Sequence, residues 1–241
     1  MQYCPECLTS DPTPYFMIQW RLAWHVGCPI HRVQLRDRCY QCGAAVQYHR
    51  LTTRHPALTV CPNCECDLRS GGTGIARFDD QTRDFQAQCD HHAQYGHNDP
   101  RHGFNASSWF ELAEFNVLLA RRILRASTSA LLTLGENLGI SRGTSYIHDS
   151  GHPGIEKLRT DDRAKLFKAA SRLMALSETE LLHALWGADV SQQAFCPKGV
   201  RLPTTLAAIR GCLKSNVTPK RSRSSKRPVA NAWPAPRTRK T

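Results

Sequence analysis

Residues 3–46 read YCPECLTSDPTPYFMIQWRLAWHVGCPIHRVQLRDRCYQCGAAV, and residues 61–69 follow as CPNCECDLR. Together they place eight metal-capable side chains in four pairs: Cys4/Cys7, Cys28/His31, Cys39/Cys42 and Cys61/Cys64. Two intervening residues let a short knuckle aim both side chains at one ion, and Pro5, Pro29 and Pro62 stiffen three of the knuckles by fixing φ. Eight soft donors make two tetrahedral zinc sites the simplest reading. The twenty residues between the first two pairs and the eighteen between the last two suffice for a strand and a return. Spacing alone allows sequential quartets or an interleaved set in which Cys4/Cys7 joins Cys39/Cys42.

A disulfide framework is the competing use of so many cysteines, but it needs an oxidising compartment. The opening MQYCPEC shows no basic segment followed by an apolar one, and eleven cysteines is an odd number. Cys66, Cys89, Cys196 and Cys212 fall outside the pairs and show no obvious partners. A reducing cytoplasm is therefore expected. Quartets filled by four protein donors leave no position for a reactive water, so the zinc role is structural. Zinc binding of this kind contributes on the order of 10–16 kcal/mol, most of it as folding free energy. Residues 1–70 should then unfold without metal.

Between the first two pairs, Tyr15, Phe16, Ile18, Trp20, Leu22, Trp24 and Val26 come close to alternating with polar residues, which suggests a β-hairpin arm. Aromatics beside a small metal site usually form its mini-core, and a recognition surface is the second reading.

These stretches resemble the zinc-binding part of TniQ-type transposition proteins, the group that includes target selectors of Tn7-like elements and CRISPR-associated transposons. The matching features are CPxC at Cys4, W-R-x-x-W from Trp20 to Trp24, CPxH at Cys28, C-x-x-C-G at Cys39, and CPxC at Cys61 followed by Asp67, Leu68 and Arg69. The resemblance is close over about the first seventy residues and loose beyond. It implies ligand roles for Cys4, Cys7, Cys28, His31, Cys39, Cys42, Cys61 and Cys64, grouped as sequential quartets holding two structural Zn2+ ions. Members of the family usually carry a helical segment of helix-turn-helix type ahead of the first CPxC. Met1 stands three residues before Cys4, so that segment is expected to be missing, by truncation, a misassigned start or reduction. Glu65 and Cys66 stand where the family has Gly, and Cys66 reads as a spare thiol.

The chain has 241 residues and a formal charge of +12. Residues 214–241 hold nine Lys or Arg and no acid, so only +3 remains on the body. That Pro-, Ser- and Arg-rich stretch is expected to be a disordered basic tail, with Lys220, Arg221, Arg223, Lys226 and Arg227 binding phosphate backbones and Trp233 available to stack. Residues 71–106 read as a linker broken by Gly96, Asn98, Pro100 and Gly103. Within it Cys89, His91, His92, His97 and His102 do not match standard zinc spacing and are expected to be ordinary loop residues. Trp109, Leu112, Phe115, Leu119 and Ile123 predict an amphipathic helix over about 108–125. Further helices are expected over about 161–174, from a capping box at Ser177 with Leu181, Leu182, Leu185 and Trp186 inward, and over 206–213. Either a bundle or a helix-turn-helix fits them.

The expected architecture is a small zinc-stabilised α+β region with two zinc ribbons or knuckles (1–70), a linker (71–106), an all-α region (107–213) and a basic tail (214–241). P-loop, nucleophile-elbow, metalloprotease and paired-carboxylate signatures are absent, so an enzyme is not expected. The resemblance implies a cytoplasmic, nucleoid-associated adaptor that contacts an AAA+ ATPase transposition regulator on one side and DNA or a target-selecting complex on the other. No membrane role is expected, and a dimer is open. A zinc-ribbon DNA-binding regulator unrelated to transposition, or a truncated remnant, are the alternatives.

Overall fold

The computed structural model describes residues 1–72, 74–96, 105–126, 128–140 and 154–215. The N-terminal region is built from turns. It contains one short helix, α1 (Pro5–Ser10), and a two-stranded antiparallel sheet of β1 (Gly27–Cys28) and β2 (Val33–Gln34). Isolated bridges at Tyr3↔Arg36, Arg38↔Ala45 and Val60↔Asp67 extend the pairing. A small core of Tyr3, Leu8, Trp20, Leu35, Val46 and Leu68 packs around the buried cysteines.

The hairpin expected across residues 15–26 is not there. The sheet lies at 27–34 instead, and Ile18–Arg21 is a 3-10 turn. Trp20 N bonds to the Met17 carbonyl and Leu22 N to the Gln19 carbonyl, so these two amides are taken up locally and not by a strand partner. Phe16 and Trp20 reach the same mini-core because they are four apart on a turn, with ring centroids 6.3 Å apart and edge-on. Tyr15 and Ile18 face solvent.

The supposed linker is structured in its middle. Residues 74–78 return to the sheet, Phe78 N donating to Arg32 O and Ala76 O accepting from Gln34 N, each at 2.9 Å. A side chain at Gly27 would collide with the Phe78 ring, so this return requires glycine there. The chain then enters α2 (Asp80–Tyr95), capped by Asp79. The helix escaped the periodicity argument because much of its buried face is polar: Thr82, Gln86 and His92 lie there with Phe85 and Cys89. Gln86 is satisfied by the zinc-region backbone, accepting from Val26 N at 2.9 Å and Gly27 N at 3.2 Å and donating to Gly27 O at 3.1 Å.

The second, larger core is helical. α3 (Ala106–Leu124) and α2 pack on α5 (Thr160–Met174), with Phe85 stacked on Phe167 at 5.1 Å. α4 (Ser129–Asn137), not foreseen, packs Leu131 and Leu134 between α3 and α6 (Glu178–Gly187). α7 (Gln192–Phe195) and α8 (Ala207–Gly211) close the bundle through Phe195 and Ile209. α6 begins at the expected capping box of Ser177 and Glu180. Trp186, expected inward, is 52% exposed, and its indole N–H finds the Cys212 carbonyl at 3.1 Å.

Buried polar contacts join the two cores. Asp37 of the N-terminal region accepts from Thr160 N at 3.1 Å and so caps α5, whose own N-cap residue Arg159 supplies no side-chain bond. Thr160 Oγ1 donates to Gln2 Oε1 at 3.0 Å, and buried Arg163 donates to Ala23 O at 2.6 Å and Thr160 Oγ1 at 3.2 Å. On α2, Asp90 Oδ1 accepts from Trp24 Nε1 at 2.8 Å and lies 2.7 Å from His25 Nε2.

Candidate metal centres

All four knuckles share one backbone bond, from the amide after the second donor to the carbonyl of the first. The distances are 3.1 Å for Leu8 to Cys4, 2.9 Å for Arg32 to Cys28, 3.0 Å for Gly43 to Cys39 and 2.8 Å for Glu65 to Cys61. At three of them the amide-bearing residue is left-handed, with φ of 54° at Arg32, 69° at Gly43 and 58° at Glu65. That reversal returns the chain antiparallel to the strand that entered the knuckle. At Leu8 the chain continues into α1 instead. Inner amides point at sulfur: Cys7 N lies 3.5 Å from Cys4 Sγ, His31 N 3.5 Å from Cys28 Sγ and Gln41 N 3.4 Å from Cys39 Sγ. Such bonds favour the thiolate.

The knuckles meet in two sequential quartets, Cys4/Cys7/Cys28/His31 and Cys39/Cys42/Cys61/Cys64, each with donor atoms within 4.8 Å of one another. In the first, Cys7 and Cys28 Sγ are 3.5 Å apart, and His31 Nδ1 lies 3.7, 3.2 and 3.6 Å from the sulfurs of Cys4, Cys7 and Cys28. Nδ1 is thus the ring atom that His31 turns toward the three sulfurs. In the second, Cys39–Cys64 is 3.7 Å and Cys42–Cys61 is 3.8 Å. A tetrahedral ion bound at usual zinc distances holds two sulfurs about 3.8 Å apart and a sulfur and a nitrogen about 3.6 Å apart. The donor sets fit a metal of that kind. The first quartet is buried apart from half-exposed His31, whereas Cys42 of the second faces solvent.

Crowded thiols also explain the titration pattern. The Cys4 thiol bonding to Cys28 and the His31 amide pull Cys28 down to about 4 despite burial. That same bond, with burial, pushes Cys4 far up, and burial with Cys28 beside it takes Cys7 to about 12. In the second quartet burial opposes ionisation of Cys39, but the Cys42 amide and the Cys66 thiol draw it down to about 6, while burial lifts Cys61 to about 11. Four such donors cannot all be charged side by side without a cation.

Cys66, read as a spare thiol, lies 3.1 Å from Cys39 Sγ. Cys89 and His92 point into the helical core, His92 stacked on Trp109 at 4.4 Å. Among the described residues, metal-capable groups of three or more are confined to the two quartets. His97, His102, Lys220, Arg221, Arg223, Lys226, Arg227 and Trp233 lie outside the described residues. Sequence reasoning missed a cleft of about 480 Å³ where the two cores meet, lined by Arg21, Arg38, Lys157, Arg159 and Arg163 with Asp37. Its basic residues are scattered in sequence, so no local signal announced them. No helix among the described residues is long and apolar enough to cross a membrane.

No curated protein and no solved structure matches the chain. Residues 1–35, which contain the whole first quartet, match the TniQ family model, so this segment of the chain is similar to that family.

Proposed function

We propose that this protein is a non-catalytic transposition accessory factor that links target-site recognition to an AAA+ ATPase regulator and, through it, to a transposase. The observation that carries the reading is the TniQ segment at residues 1–35 enclosing a complete donor quartet. Two Zn2+ ions fill the quartets, held by Cys4, Cys7, Cys28 and His31 and by Cys39, Cys42, Cys61 and Cys64. Their role is structural, since four protein donors leave no position for an activated water. Metal on the two quartets pins His31 and Cys39 on either side of Asp37, which caps α5, and this favours a single rigid docking body. The protein acts in the cytoplasm at the nucleoid, and residues 214–241, with Lys220, Arg221, Arg223, Lys226 and Arg227, add unspecific DNA affinity.

The test is binding to an AAA+ regulator encoded beside this gene, measured with ATP present. Binding should be lost in Cys28→Ser and retained when residues 215–241 are removed. A chain without transposition genes nearby, whose zinc region instead selects a DNA sequence by itself, would point to the DNA-binding regulator.

A further inference from the structure

The knuckles at Cys28, Cys39 and Cys61 share one frame, so the position two residues past the second donor is equivalent in all three. Val33 pairs with Cys28, Ala44 O accepts from Cys39 N at 2.8 Å, and Cys66 O accepts from Cys61 N at 2.9 Å. Opposed residues of an antiparallel pair project to the same face. Residue 66 therefore shares the face of Cys61, a donor of the second quartet. Val33 and Ala44 show that the frame needs no thiol at this position.

The Cys66 sulfur sits 3.1 Å from that of Cys39, and Cys66 follows Cys64 by two residues. It thus approaches the second quartet beside Cys39, whose own sulfur is 3.7 Å from that of Cys64. The contact to Cys39 is inside the spacing of about 3.8 Å that two sulfurs keep on one zinc, so a side-chain rotation must accompany any binding of the ion by Cys66. Five thiols surround four coordination positions. Both Cys64 and Cys66 are only half-buried, which leaves their side chains room to rotate.

We propose that the second centre is a five-thiol site in which Cys66 is an alternate fourth ligand, exchangeable with Cys64. In the exchange the metal–sulfur bond to Cys64 breaks as the bond to Cys66 forms. The proton of the Cys66 thiol passes to the departing Cys64 thiolate, so the charge at the ion is unchanged. The inference rests on the reading of both quartets as zinc sites.

The experiment is metal analysis of the full-length protein, purified reduced, with the cobalt-substituted spectrum reporting the number of thiolates on the ion. Wild type, Cys64→Ser and Cys66→Ser should each hold about two zinc ions per chain, with equal sulfur-to-cobalt charge-transfer intensity in all three. Cys64→Ser/Cys66→Ser and Cys42→Ser should hold about one. Cys64→Ser holding one ion, holding two with a weakened charge-transfer band, or being insoluble while Cys66→Ser is soluble overturns the role of Cys66 alone. Wild type without metal overturns the zinc reading and this inference with it.

Discussion

Arg32 and Glu65 occupy left-handed backbone, at φ 54° and 58°, where the equivalent position of the knuckle at Cys39 is Gly43. A non-glycine residue there costs about 1–2 kcal/mol, partly offset because glycine loses more entropy on folding. Glu65→Gly should accordingly raise stability by roughly 0.5 kcal/mol, seen as a higher urea midpoint; a lower midpoint would mean that the Glu65 side chain has a role of its own. The eight residues that gather in the two quartets were legible because a two-residue gap is a strong local signal. Cys66 was not, since one intervening residue from Cys64 argues against a shared knuckle, and its proximity to Cys39 arises from strand register that residue type does not encode. Cys42→Ser should destabilise the N-terminal region far more than Cys66→Ser, as thermal melts of the two variants would report; equal effects would mean that the donors are misassigned.

At the scale of elements, α3, α5 and α6 were visible because apolar residues recur at helical spacing, with a readable capping box at α6. α2 was hidden because polar Gln86 and His92 occupy core positions, Gln86 bonded to the Val26–Gly27 backbone and His92 stacked on the Trp109 ring. The hairpin was placed a dozen residues early, since Phe16 and Trp20 meet through a turn that imitates alternation. Asp37 capping α5 from another region is likewise invisible locally. Asp37→Ala should cost about 1 kcal/mol, the usual value of a lost N-cap, by chemical denaturation. Asp79 caps α2 and pairs with Lys168 of α5 at 2.7 Å. Burial opposes its ionisation, but the Lys168 ammonium and the Thr82 and Gln81 amides prevail and hold its pKa below the ordinary value. A carboxyl depressed in the folded state stabilises above its unfolded pKa of about 3.9 and loses that contribution as pH falls through the folded value. The stability gap between wild type and Asp79→Asn should therefore be full near neutral pH and close under acid; a gap constant with pH would exclude the ion pair as its source.

For the whole molecule, two cores of different origin share one polar seam. The helical core is apolar and lies apart from the two quartets, whereas five of the eleven buried residues of the N-terminal core are cysteines, packed with Tyr3, Leu8, Trp20, Leu35, Val46 and Leu68. Metal loss should thus unfold residues 1–70 and uncap α5 while the bundle survives, which a chelator titration followed by hydrogen exchange would show as protection kept in α3 and lost around β1 and β2. Loss of residues 215–241 should weaken DNA binding and flatten its salt dependence, and an unchanged salt slope would dismiss the tail as the DNA-binding element. The decisive quantity is the zinc content of the reduced, soluble protein. It should be about two ions per chain, released by acid as the donors protonate; a folded chain with a content near zero would contradict the account at its foundation.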